Sequence, residues 1–255
     1  MSFVVARRSF SVQIAKTFLN AFSPRRTEFL MTRAVFFAIQ RGSSTVNTSS
    51  AVGRLDWTRG FDLILASAAL LFIAPLLLVL ALAVFAQDGA APLYRQKRIG
   101  REGRIFHCLK FRSMVPNAQA RLEHLLETDP AARREWEVDH KLRDDPRVTP
   151  LGRFIRRTSL DELPQLINVV AGDMSLVGPR PIVQEELVRY GSYLRHYLRV
   201  RPGITGVWQV SGRNDVSYRR RIACDVLYAR RRSFGRNLLI MAATVPAVLQ
   251  SRGSY

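Results

Sequence analysis

A chain of 255 residues, 47% of them hydrophobic, is long enough to bury one sizeable core, so wholesale disorder is excluded and one domain with attachments is the expectation. Its 39 Lys and Arg against 20 Asp and Glu leave a formal charge of +19, which requires a polyanionic partner: nucleic acid, an anionic membrane surface or phosphorylated substrates. The two cysteines, Cys108 and Cys224, form no CxxC pair, and His107, His124, His140 and His196 stand apart, which argues against a thiolate or HExxH metal site and for reduced thiols on the cytoplasmic side.

Residues 1–53 carry seven Lys and Arg against one acid, Glu28, and close on the turn-rich run Gly42 to Ser50. They lack the apolar core and cleavage site of a secretory signal, so they read as a basic, disordered extension, with contact to anionic lipid as the functional alternative. From Leu63 to Ala86 run 24 residues without a formal charge. As a helix they would extend roughly 36 Å against roughly 30 Å of bilayer hydrocarbon, enough to span. Pro75 sits in the middle, where it removes a backbone hydrogen bond and should kink or break the helix. Both flanks are basic, Arg54 and Arg59 before, Arg95, Lys97, Arg98, Arg101 and Arg104 after, and the positive-inside rule would keep both in the cytoplasm. A helix that enters, turns at Pro75 and returns meets both observations; a single-pass anchor with a tolerated proline is the alternative.

The segment from about Gln87 to Arg232 is polar and mixed in pattern, as a globular part should be. Asn117 to Lys141 predicts a charged amphipathic helix or helix pair, with Leu122, Leu125, Leu126 and Trp136 on its core side. Leu238 to Leu249 is apolar over 12 residues, roughly 18 Å as a helix, too short to cross; behind the arginines 230, 231, 232 and 236 it reads as interfacial or as a core helix.

Neither GxGxxG nor GxxxxGK[ST] is present, so a nucleotide would be bound another way. The special residues concentrate between Arg153 and Pro181. Ser159-Leu160-Asp161-Glu162 has the form of a capping box, with Ser159 as N-cap and Glu162 as its partner. That reading explains Glu162 but leaves the surroundings unexplained. Arg153, Arg156 and Arg157 precede the pair, and the rigid Gly178-Pro179-Arg180-Pro181 turn brings another guanidinium. Arginines near a helix start suit phosphate, a carboxylate among them can attack phosphorus, and paired carboxylates suit Mg²⁺. Lys110-Phe111-Arg112-Ser113-Met114 alternates like a strand with one charged face. Arg201-Pro202-Gly203-Ile204-Thr205-Gly206, followed by an aromatic stretch to Arg213-Asn214, reads as a shaped loop.

Taken in order, the apolar segment with its proline, KFRSM, SLDELPQL, GPRP, RPGITG and GRN resemble the bacterial sugar transferase family, the monotopic polyprenyl-phosphate phosphoglycosyl transferases, over about Arg54 to Tyr255. The stretch Ser211 to Tyr218 and the ending Ser251 to Tyr255 are similar to the subgroup that starts succinoglycan-type exopolysaccharide with galactose-1-phosphate. The resemblance implies an α+β, mainly helical fold. A re-entrant membrane helix at about 61–86 would lead into a catalytic part at about 87–255 on the cytoplasmic face of the bacterial inner membrane, with interfacial amphipathic helices. It implies Asp161 as nucleophile on a UDP-sugar, Glu162 with Asp161 as Mg²⁺ ligands, and undecaprenyl phosphate as acceptor. Lys110, Arg112, Arg156, Arg180, Arg201 and Arg213 are the expected substrate-binding cations, Asp62 the acidic residue at the start of the membrane helix, and Pro75 its break, preceded here by Ala74 where the family has serine. Inner-membrane lipid is a further expected partner, a homo-oligomer is left open, and nucleic acid is not expected. Glucose-1-phosphate transfer and a non-catalytic membrane scaffold are the alternatives.

Overall fold

The structure, a computed structural model, describes residues 57–139, 142, 144–211 and 217–249. In chain order its helices are α1 (Trp57–Ala86), α2 (Ala118–Thr128), α3 (Pro130–Asp139), α4 (Pro150–Arg157), α5 (Gln165–Ala171), α6 (Leu187–Tyr190), α7 (Leu194–Tyr197), α8 (Val207–Val210), α9 (Tyr218–Arg231) and α10 (Phe234–Leu249). Strands β1 (Leu93–Ile99) and β2 (Ile105–Phe111) form an antiparallel hairpin, and β3 (Ser175–Val177) and β4 (Gly203–Thr205) form a short parallel pair. The mainly helical α+β expectation holds, and α2 and α3 are the helix pair expected around residues 117–141. The basic extension at 1–53 lies outside the described residues.

α1 alone among the described residues is long and apolar enough to cross a membrane. One stripe of it is packed: Ala66, Ala69, Leu70 and Ile73 meet Phe106, Leu166, Val169 and Met174, and Leu77, Leu80, Ala81 and Val84 meet Phe111, Ile155 and Leu160. These positions recur every three or four residues on both sides of Pro75, so one helical face serves the whole length. The other face is bare, with Phe72 at 86% exposure and Ile64, Leu71, Leu78, Val79 and Leu82 beside it. The expected break is not found as an interruption: the helix is continuous through Pro75. Pro75 lies on the bare face, as does Leu71, whose carbonyl loses its partner to the proline, so the defect spares the packed stripe. Polar ties hold the first turns of α1. Arg59 donates to the Val169 and Val170 carbonyls at 2.6 and 3.1 Å, and buried Asp62 accepts from Ser175 Oγ at 2.6 Å.

The hairpin obeys a period of two. Register pairs Arg98 with Phe106, Gln96 with Cys108 and Tyr94 with Lys110, so these six share one face, while Arg95 and Lys97 point out to solvent. α5 docks on β2 through Asn168, whose side-chain oxygen accepts from Leu109 N at 2.9 Å and whose amide donates to the His107 carbonyl at 2.8 Å. A side-chain amide thus completes the strand edge as a neighbouring strand would. The GPRP and RPGITG segments are locked face to face: a side chain on Gly203 would collide with the Gly178 backbone. α10 is apolar and partly bare at Phe234, Leu238, Leu239 and Val245, yet its Ile240 is fully buried, so one of its faces belongs to the core.

Candidate active site

The α4 segment is built to hold Arg156. Thr149 caps it, its hydroxyl accepting from Gly152 N at 2.9 Å, with Pro150 in the first turn. Gly152 carries no side chain because the Ser113 carbonyl occupies the space one would fill. That close approach brings Arg156 Nε within 2.8 Å of Ser113 Oγ.

The chain then turns. Ser159 takes the left-handed conformation, φ 59°, and its side chain makes no cap. The capping box is therefore not formed: Ser159 serves the end of α4, its N–H reaching the Arg156 carbonyl at 3.0 Å, and Leu160–Glu162 is a single 3₁₀ turn ahead of α5. A serine in this region costs about 1 kcal/mol, the kind of local strain that accumulates at functional sites. Freed from capping, the Glu162 carboxylate lies 2.7 Å from Lys110 Nζ, and Asp161 Oδ2 lies 3.7 Å from the same nitrogen. The Asp161 side chain is 13% exposed and that of Glu162 33%. Glu162 borders a cleft shared with Lys110, Cys108 and Arg98 from the hairpin face, Gln165 of α5 and Arg180 of the GPRP turn.

Electrostatics divide the carboxylates. Burial pushes the Asp161 carboxyl above the usual range, with Glu162 adding to the rise and Lys110 and Arg156 opposing it. Burial pushes Glu162 up as well, but Lys110 and Arg180 outweigh it and hold its carboxyl below the usual range. Two neighbouring acids with opposed shifts are a recurrent sign of divided roles. The cations are also strained by confinement: burial and the Arg180 charge lower Arg98, and burial lowers Arg156.

The structure thus brings Asp161, Glu162, Lys110, Arg156 and Arg180 together. Arg112 stands apart from this group. Strand β2 ends at Phe111, and the Arg112 guanidinium turns to a bidentate pair with Asp88, 2.6 Å on each side, and to the Ala91 carbonyl at 2.9 Å. Arg201 also stands elsewhere, its Nε donating to the Gly172 carbonyl at 3.0 Å and its side chain lining a different cavity. Arg213 lies outside the described residues.

The sequence profile of the bacterial sugar transferases matches residues 54–251. The chain belongs to the bacterial sugar transferase family. It is 51% identical over 197 residues to the UDP-galactose-lipid carrier transferase of Erwinia amylovora, covering 77% of this chain and 41% of that one. Over 198 residues it is 50% identical to the exopolysaccharide production protein ExoY of Sinorhizobium fredii, covering 77% and 87%. Over 197 residues it is 50% identical to the undecaprenyl-phosphate galactose phosphotransferase of Salmonella typhimurium, covering 77% and 41%. The matched part spans about two fifths of the first and third relatives.

In this sugar transferase two cleft residues went unread in the sequence. Arg98 was one cation in a basic run, and only the period-two pattern around Gln96 and Cys108 marks it as inward-facing. Gln209 also lines the cleft; its amide donates to the Ile204 carbonyl at 3.1 Å, and its Oε1 is buried with no hydrogen bond among the described residues. No signal short of the fold marks that glutamine.

Proposed function

We propose that this transferase moves galactose-1-phosphate from UDP-galactose to undecaprenyl phosphate, starting an exopolysaccharide repeat unit at the cytoplasmic face of the inner membrane. The observation that carries the reading is Lys110 Nζ, 2.7 Å from Glu162 and 3.7 Å from Asp161, at a cleft that Lys110 and Glu162 line with Arg98 and Arg180. Galactose rests on what the similar proteins are named for; a glucose donor is the nearest alternative.

Chemistry follows from the divided carboxylates. Asp161, made more basic by burial, attacks the β-phosphorus of the donor. The bond from that phosphorus to the bridging oxygen breaks and UMP leaves with the electron pair. The product is a galactosyl phosphate joined to Asp161 as an acyl phosphate. An oxygen of undecaprenyl phosphate then attacks the same phosphorus, the Asp161 carboxylate departs, and undecaprenyl-diphosphate-galactose is formed. Lys110, Arg98 and Arg180 neutralise the phosphate oxygens so that a carboxylate can approach them, Arg156 faces Asp161 from the α4 side, and the unpartnered Gln209 Oε1 can accept from a donor hydroxyl or the uracil N–H.

The donor set fits Mg²⁺. Among the described residues no cluster of three metal-ligating side chains exists, and this ion commonly takes one or two carboxylates and draws the remainder from phosphate and water. Glu162 with Asp161 would hold it, where it would supply charge neutralisation on the diphosphate.

Both ends of α1 are tied to the globular part, by Arg59 and Asp62 at one end and by the Asp88–Arg112 pair just beyond the other. A helix held along its whole length by a water-soluble domain cannot also stand across the bilayer away from it. This supports a membrane helix whose two ends share one face, without the interruption expected at Pro75. Single cysteines beside Arg54 and at Gln96 should therefore be labelled from the cytoplasmic side alone; opposite-side labelling would exclude the topology.

The deciding test is incubation of membranes containing the chain with a panel of radiolabelled UDP-sugars and undecaprenyl phosphate, followed by organic extraction. UDP-galactose should label the lipid phase best, Asp161→Asn should abolish labelling, and Glu162→Gln should reduce it. Undiminished labelling by Asp161→Asn would remove the nucleophile, and full turnover in excess EDTA would remove Mg²⁺.

A further inference from the structure

The cations around the reaction cleft are held in two different ways. Lys110 Nζ lies 2.7 Å from Glu162, and Arg156 Nε donates to Ser113 Oγ at 2.8 Å. The Arg98 guanidinium donates to the Pro181 carbonyl at 2.8 Å and to Gln96 Oε1 at 2.6 Å. Arg180 stands in contrast. Its side chain is exposed and lines the cleft, and it makes no hydrogen bond or salt bridge among the described residues. What it meets is a ring: its guanidinium carbon lies 5.9 Å from the centroid of Trp208.

The chain fixes both partners of this contact. Pro181 disfavours helical backbone at Arg180, and the turn is pinned to β4, with Gly178 N donating to the Thr205 carbonyl at 2.9 Å and Gly203 N to the Pro179 carbonyl at 2.8 Å. Trp208 follows β4 directly on α8, so the pairing that fixes the GPRP backbone also sets its distance from the ring. The ring is only 3% exposed, and the Arg221 guanidinium of α9 lies over it at 4.7 Å. An arginine fixed only at its root still has its side-chain rotamers to order. A tryptophan face attracts a guanidinium through the ring quadrupole and takes up none of its N–H groups. The whole fork of donors on Arg180 is thereby left for an anion.

We infer that Trp208 is a positioning residue for the reaction: its ring holds the Arg180 guanidinium at the cleft, so that the N–H fork meets the diphosphate of the UDP-sugar already oriented. The inference rests on the proposed role of Arg180 in binding that diphosphate. Trp208 acts through the arginine. Because the diphosphate is held before and during the reaction alike, weakening the contact raises KM and leaves kcat in place.

Trp208→Ala would empty a buried site and could unfold the domain, so the test changes the electrostatics of the ring at nearly constant shape. Mono-, di- and trifluorotryptophan are placed at position 208 of the full chain in a non-ionic detergent, each fluorine withdrawing charge from the ring face. The readouts are KM and kcat with UDP-galactose, calorimetric affinity for UDP in excess Mg²⁺, and melting temperature. KM and the Kd for UDP should rise step by step, reaching about two- to fivefold with the trifluoro ring, while kcat and melting temperature hold. In the Arg180→Gln chain the same series should cause no further loss, a result that a merely structural ring or the Arg221 contact would not produce. An affinity indifferent to fluorination, a loss that persists in Arg180→Gln, or no binding of UDP to the unmodified chain would each overturn the inference. Absence of turnover with UDP-galactose would count against the proposed reaction, and the UDP titration would still decide the role of Trp208.

Discussion

Two cation-rich cavities differ in what balances their charge. In the reaction cleft Lys110 and its neighbouring arginines face two carboxylates, so each charge sets the ionisation of the others. Around the other arginine-lined cavity the cations have separate partners, Arg59 and Arg201 on backbone carbonyls and Arg101 on Glu102. The lesson is that cations sharing two carboxylates tune one another's ionisation, while cations with partners of their own fasten the fold.

The largest way to break the balanced site is Lys110→Gln. Two neighbouring carboxylates would lose their shared cation, and turnover should fall by about 10²- to 10³-fold. The sign of the pH effect follows from Asp161: as the proposed nucleophile it must be ionised to attack, its carboxyl is already raised by burial, and Lys110 opposes that rise. Removing the lysine should therefore shift the acid limb of the kcat/KM profile to higher pH, with activity lost as pH falls through it. An unmoved acid limb would mean that Lys110 does not govern the ionisation.

Arg112→Ala sharpens the comparison from outside the cleft. Its bidentate pair with Asp88 ties the end of β2 to the turn after α1, so the melting temperature should drop while KM for the UDP-sugar stays unchanged. A raised KM with stability intact would return Arg112 to the substrate site.

The smallest effect is expected at Asp225, buried against the Tyr190 hydroxyl at 2.7 Å. Burial raises this carboxyl to about 7. The folded state thus holds a proton that the unfolded chain releases near pH 4, and stability falls as pH rises between those values and levels off above about 7. Asp225→Asn should flatten that part of the melting-temperature profile, and a slope equal to that of the unmodified chain would exclude Asp225 as its origin.

How much was legible in the sequence can be judged residue by residue. Asp161, Glu162 and Lys110 were readable because their motifs fix local spacing, and the fold only had to bring two motifs together. Arg112 misled because Lys110 and Arg112 share a parity that holds only while the strand lasts, and β2 stops between them. Ser159 misled because the same residue type that starts helices also tolerates the left-handed turn that ends them. The cavity lined by Arg59, Arg101, Arg201 and Arg232 had no sequence signature at all, since it is assembled from separate segments.

One consequence of the packing of α1 concerns time. The helix leaves the ribosome early, yet Arg59 finds the Val169 carbonyl only 110 residues later. At about 5 to 20 residues per second that is a wait of roughly 5 to 20 s. During it the apolar helix lacks the part of its stripe's cover that comes from α4 and α5. On the proposed membrane attachment, the bilayer would receive the segment before its own domain can, and the finished domain would dock onto a helix already in lipid.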